Sequence, residues 1–407
     1  MPFTRNLLRL LTFSIMAVLL FVPSGRADII TDWNRTANDI VIAAKLLPGP
    51  ANRTITMIQT AVFEAVNAIT RKYPSRLTVE VPASASVEAA VAAANRSLLA
   101  GLVPSQTDAI EKAYQEALAS IKDESTKKAG IEIGEKAAAA VILARSDDKI
   151  TGPENYRPYT APAVYVPTVI PVFTNWPQRK PWVMTSPDQF RPGPPPDLKS
   201  DIWARDYNEI LALGVKKSAV RSQEQTAIAE FWAATGPAIY YPLLNAVDNL
   251  PGRDITRNAR LYAAVSQAMD DALIAVFDAK YHYNFWRPVT AIRNGDIDGN
   301  DATSRDEFWT PFIETPMHPE YPCAHCIVAA AVGTVLHAEL GNTPEPVIST
   351  TSPAAPGVVR SWNKIDDFIK EVSEARICDG VHFRNSTEVG SAMGAKIGKL
   401  AAEKMLR

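Results

Sequence analysis

Nine residues gather an unusual density of reactive side chains: His318-Pro-Glu-Tyr-Pro-Cys-Ala-His-Cys326 holds two imidazoles, two thiols and two prolines just before an apolar run. Pro322 suits entry into a helix from Cys323 to Leu340. The first N–H groups of a helix lack internal acceptors and sit at its positive end, so they attract an anion. His325 falls in that first turn, where the helix field disfavours further positive charge, and His337 reads as a packing residue. Cationic segments flank this stretch on both sides. In Lys280-Tyr-His-Tyr-Asn-Phe-Trp-Arg287-Pro288 the two cations stand seven positions apart, nearly two helical turns, and can share a face. In Glu374-Ala-Arg376-Ile-Cys-Asp-Gly-Val-His382-Phe-Arg-Asn-Ser386, Arg376 and His382 are six apart and do not share a face, but Gly380 can fold them toward one point. Lysine offers a compact charge and arginine a planar fork, and a tetrahedral oxyanion can use both. Phosphate-like anion chemistry with acid–base or nucleophilic imidazoles is the consequence.

The elements that must position these groups are helical. Asn52–Tyr73 carries a one-sided apolar stripe, Ser86–Leu102 and Glu124–Arg145 are Ala-rich, and Ser105 caps Gln106–Ile121. Ser200 caps Asp201–Leu213; Ser222–Ala234, Arg253–Lys280, Ser361–Arg376 and Ser386–Met405 follow, the last capped by Ser386. The fold class is therefore all-α. Between the halves, twelve of the 31 prolines fall from Pro153 to Pro196, too dense for helix or central strand. Trp176, Trp182, Tyr156, Tyr159 and Phe190 in the same segment argue for an ordered, extended connector near the pocket mouth. The expected division is a leader at 1–27, a helical half at 28–150, the connector at 151–199, and a helical half carrying the site at 200–407.

Composition bounds the surroundings. With 47% apolar residues, 21% charged and a net charge of −2, the composition is that of a globular protein and gives no bulk reason to expect nucleic acid or an anionic membrane as partner. Residues 1–27 combine Arg5 and Arg9, a short apolar core and small residues before Ala27, the pattern of a cleaved signal peptide. A periplasmic or secreted location without a membrane span follows as an expectation. Cys323, Cys326 and Cys378 then allow one disulfide and one free thiol; Cys323 can pair with Cys326, or Cys378 with either. In Asp296-Ile-Asp-Gly-Asn-Asp301, Asp301 stands where a calcium loop needs glycine, so the stretch reads as a polar turn.

Lys280…Arg287-Pro288, Pro322-Cys-Ala-His325 and Arg376…His382…Ser386 together resemble the signature of the vanadium-dependent haloperoxidase and type 2 phosphatidic acid phosphatase superfamily. Asn52-Arg to Asn67-Ala and the Pro-rich middle look like its larger bacterial haloperoxidase-like members. The resemblance implies a helical bundle with vanadate as cofactor, its oxygens held by Lys280, Arg287, Arg376, Cys323 and the Ala324 N–H. His382 would be the ligand to the metal and His325 the acid–base group. Hydrogen peroxide bound there would oxidise a halide to hypohalous acid, which reacts with an organic acceptor. His318 and Phe277 match halide-side positions, and a histidine at 318 leans toward bromide. The same pocket supports phosphate monoester hydrolysis through a phosphohistidine on His382. A homodimer is compatible with the resemblance.

The sequence departs from the pattern at several places. Cys323 stands for a serine and Ala324 for a glycine, Ala375 for a serine and Ser386 for the aspartate that orients the metal-binding histidine. A weaker partner at Ser386 is expected to lower the basicity of His382, which would leave an impaired, oxyanion-binding protein as the third outcome.

Overall fold

The computed structural model describes residues 28–74, 84–148 and 154–407. The expected leader at 1–27 therefore lies outside the described residues. The order is α1 (Ile29–Ala43), α2 (Pro48–Thr70), α3 (Val87–Leu102), α4 (Thr107–Ala119), α5 (Glu124–Ala144), α6 (Asp201–Leu213), α7 (Gln223–Phe231), α8 (Pro237–Tyr240), α9 (Asn245–Asp248), α10 (Ile255–Tyr283), α11 (Pro288–Arg293), α12 (Ala324–Leu340), β1 (Ile348–Ser352), β2 (Ala355–Trp362), α13 (Ile365–Cys378) and α14 (Arg384–Met405). Local chemistry sets many starts. Ser86, Asp123, Ser200 and Ser222 each accept a first-turn N–H, and Gln225 completes a capping box with Ser222.

Helix α12 is apolar on nearly every face and buried along most of its length, which suits a helix enclosed on all sides. It packs along α14 and α10, and α10 packs on α2. Gly390, Gly394 and Gly398 form one stripe of α14. A Cβ at these positions would stand 2.6, 2.1 and 2.6 Å from the carbonyl oxygens of Cys323, Ile327 and Ala331. Absent side chains therefore let α14 lie against the α12 backbone.

The connector is extended and ordered where described. Its N–H groups find carboxylates on α10: Asp271 accepts from Trp182, Val183 and Met184 at 2.7, 2.8 and 2.8 Å. Arg191 forks onto Asp278 at 2.7 and 2.8 Å. Val172 N–H bonds Met317 O at 2.9 Å, which carries Phe173 to the cavity described below.

Several expectations are corrected. Ser361 lies in β2 of an antiparallel hairpin, not in a helix. Ser386 does not cap α14, whose N-cap is Phe383; its hydroxyl faces His382 instead. His337 is not a packing residue but lies at the surface against Asp366 and Glu345. No described helix is long and apolar enough to cross a membrane.

Candidate active site

The end of α10, the loop before α12 and the α13–α14 turn converge. Lys280, in the last turn of α10, is fully buried and donates to the carbonyls of Pro319 and Glu320 at 2.9 and 2.7 Å. Asn284 ends that helix in the left-handed region, and the chain returns at Arg287, the N-cap of α11. Arg287 donates to His318 O at 2.9 Å and Val381 O at 2.8 Å. Its other contacts are His318 Nδ1 at 3.0 Å and His382 Nε2 at 3.3 Å. Arg376, near the end of α13, pairs with Asp379 at 2.6 Å and donates to Trp232 O at 2.8 Å, leaving its Nε without a partner. Gly380, at φ +83°, makes the turn, and a Cβ there would meet Gly214 O at 2.3 Å. That turn brings His382 N–H onto Arg376 O at 3.1 Å.

His382 Nδ1 meets Glu320 Oε1 at 2.8 Å, and the same oxygen accepts Phe383 N–H at 3.1 Å. The Ser386 hydroxyl also bonds this carboxyl group. Because Oε1 is an acceptor in that cradle, the imidazole proton belongs on Nδ1, and the Nε2 lone pair faces Arg287. This corrects the expected weak partner at position 386: a buried carboxylate from the loop before α12 does the orienting, with the Ser386 hydroxyl bonded to it. Glu320 was missed because its neighbour in space is 62 positions away. The available signal was an acidic residue placed inside a cationic, histidine-bearing stretch.

Cys323 and Cys326 form a disulfide, and Cys378 is a buried free thiol. Cys323 Sγ accepts the Cys326 N–H as the helix cap. It therefore has no thiol proton to give an anion, and the expectation of Cys323 as an anion donor is corrected. Ala324 begins the helix, so its N–H belongs to the unpaired first turn.

His318, His325, Ala324, Phe277, Arg376 and His382 line one cavity of about 230 Å³. Phe277 packs edge-on against the His318 ring, centroids 5.2 Å apart. His325 Nε2 has no hydrogen-bond partner, while the ring also bonds the Ala234 carbonyl. Burial, reinforced by neighbouring cations, holds all three histidines well below their usual pKa and neutral at pH 7. Burial also lowers Lys280 and brings Arg287 to about 10, and it raises Glu320 to about 7 and Asp379 to about 6. Three buried basic side chains thus stand near two buried carboxyl groups, an excess of basic groups that an anion would complement.

The helical bundle that surrounds this cationic, three-histidine site has the fold of the vanadium haloperoxidases. Residues 260–407 match the family described as the VCPO second helical-bundle domain. A vanadium chloroperoxidase of Curvularia inaequalis is 26% identical over 172 residues, covering 34% of this chain and 28% of that relative's length. The first bacterial vanadium-dependent iodoperoxidase structure superposes with a TM-score of 0.78 at 23% identity, over 92% of this chain and 96% of its own. A holo-type bacterial vanadium-dependent chloroperoxidase gives 0.71 at 19% identity, over 89% and 93%.

Proposed function

We propose that this chain is an exported enzyme that holds vanadate through His382 and uses hydrogen peroxide to oxidise a halide, leaning toward bromide. The observation carrying this reading is the gathering of Lys280, Arg287 and Arg376 beside a histidine whose Nδ1 is held by Glu320 and whose Nε2 faces Arg287. The residues fit vanadate in the cations, the ligand nitrogen and the free Nε2 of His325; only Cys323, closed in its disulfide, contributes nothing. When bound, vanadate supplies Lewis-acid activation of peroxide without changing its own redox state.

The chain's residues do the rest. Lys280, Arg287, Arg376 and the Ala324 N–H neutralise and orient oxyanion oxygens in a dry site, where such charges act strongly. Glu320 keeps the proton on Nδ1 of His382 and so keeps Nε2 a ligand. His325, neutral and open at Nε2, takes a proton from peroxide at that atom and returns one to the departing oxygen. His318 against Phe277 forms the halide side, and its histidine supports the bromide leaning. The basic, apolar leader supports a periplasmic or secreted location.

The test is bromide- and peroxide-dependent bromination of a phenolic dye by vanadate-loaded protein, compared with metal-free protein and His382→Ala. Activity is expected only in the loaded wild type. Hydrolysis of an aryl phosphate without halide oxidation would contradict the proposal.

A further inference from the structure

A second cavity, of about 460 Å³, opens between α1, the chain from Ala238 to Asn245 and the β1–β2 turn. Its size is that of a small-molecule site, and none of its lining residues lines the candidate active site. Helix α1 gives it one stripe: Thr31, Asn34, Arg35, Asn38, Asp39 and Ile42 recur every three or four positions. The helix packs through its other side, where Trp33, Ala37, Ile40 and Val41 join the core. The polar stripe is therefore not what holds α1 in place.

The floor of this cavity is polar and uncharged. Asn34 and Asn38 are 5% and 8% exposed. Gln59 Nε2 donates to Asn34 Oδ1 at 3.0 Å and fixes that amide. Asn38 Oδ1 is buried and has no hydrogen-bond partner among the described residues. Asn245 brings a third carboxamide, whose Oδ1 accepts from the Tyr262 hydroxyl at 3.4 Å. Charge stays at the rim, where Arg35 and Asp39 are exposed and opposite in sign.

A buried amide oxygen left empty costs stability, so packing does not account for Asn38. Its natural complement is a hydrogen-bond donor. Carboxylates and phosphates donate nothing, and an ammonium or a zwitterion would carry full charge onto a floor with none to meet it. A neutral hydroxyl gives its proton to Oδ1 and accepts from a carboxamide N–H, and a ring of hydroxyls repeats this across several amides. We infer that this cavity is a binding site for a neutral saccharide of one or two rings, with Asn38 Oδ1 accepting from one of its hydroxyls.

Saturation-transfer NMR titration of the full chain with glucose, maltose and glycine tests the site. At least one of the two sugars should bind, and more tightly than zwitterionic glycine. Asn38→Leu should weaken the sugar about tenfold, the scale of one or two hydrogen bonds. Ala238→Trp, which fills the cavity from the wall facing α1, should abolish binding. Without ligand, Asn38→Leu should unfold at the same or a higher denaturant concentration, because it removes an oxygen the fold leaves unpaired. No transfer to either sugar, tighter binding of glycine, or sugar affinity untouched by either substitution would overturn the inference. So would a clearly lowered midpoint or failure to fold in Asn38→Leu, since Asn38 would then serve the fold and not a ligand. The two cavities share no residue, so none of these outcomes depends on whether the chain oxidises halides.

Discussion

Replacing Glu320 by glutamine keeps the shape of the loop and removes only the charge from the His382 partner. Glu320 Oε1 accepts from His382 Nδ1 at 2.8 Å and from Phe383 N–H at 3.1 Å, while Oε2 is buried without a partner. A hydrogen bond to a charged group contributes about 1.5–3 kcal/mol and a neutral one about 0.5–1.5 kcal/mol. The exchange therefore removes about 1–2 kcal/mol of support for His382, near tenfold and at the low end of the 10–100-fold range for orienting partners of metal ligands. Vanadate, which needs the ring nitrogen, should bind roughly tenfold more weakly to Glu320→Gln. Inorganic phosphate, which needs only the cations, should bind no more weakly, because the variant also removes a repelling carboxylate. The pH profile adds a check. As pH falls through about 7, wild-type Glu320 takes up a proton, and vanadate affinity should drop with it; the variant should lack this step. Titrations with both anions across pH decide the matter, and parallel loss of both, or of neither, would refute the orienting role.

Other outcomes follow from the same geometry. Cys323→Ser opens the disulfide and places a hydroxyl at the helix cap; vanadate affinity should rise about tenfold while unfolding free energy falls by about 2 kcal/mol, read by calorimetry and denaturant titration. Gly394→Ala forces a methyl to within 2.1 Å of Ile327 O, and should cost about 1–3 kcal/mol of stability with lowered denaturant midpoint. Asp271, Glu320 and Asp379 all have folded pKa values raised to about 6, 7 and 6 by burial. Their contribution to stability is present below the unfolded carboxylate range and is lost as pH rises through about 6 to 7. The melting temperature of the anion-free protein should therefore decline over that window, less steeply in Asp379→Asn.

Much of this was legible in the chain. Ser200 predicts the start of α6, and Asp201–Leu213 is the helix found. The helical class and the segments around Lys280, Arg287, His325, Arg376 and His382 also needed only local pattern. What escaped depends on distant partners. Glu320 acquires its meaning from His382 across a turn made by Gly380, and no periodicity announces such a contact. The β1–β2 hairpin hid behind prolines and a serine that mimics a helix cap. Helix α1 is capped by Asp28, and its short mixed run of apolar and polar residues carries little periodic signal of its own. The glycine stripe of α14 lay in plain view at four-residue spacing, but its use required knowing that α12 lies against it.

On the proposed function, a single vanadate bonds to His382 among Lys280, Arg287 and Arg376. Vanadium K-edge X-ray absorption on the vanadate-loaded protein tests it most directly. A nitrogen scatterer in the wild type that disappears in His382→Ala is the predicted result; an oxygen-only shell in the wild type, or an unchanged nitrogen signal in the variant, would contradict it.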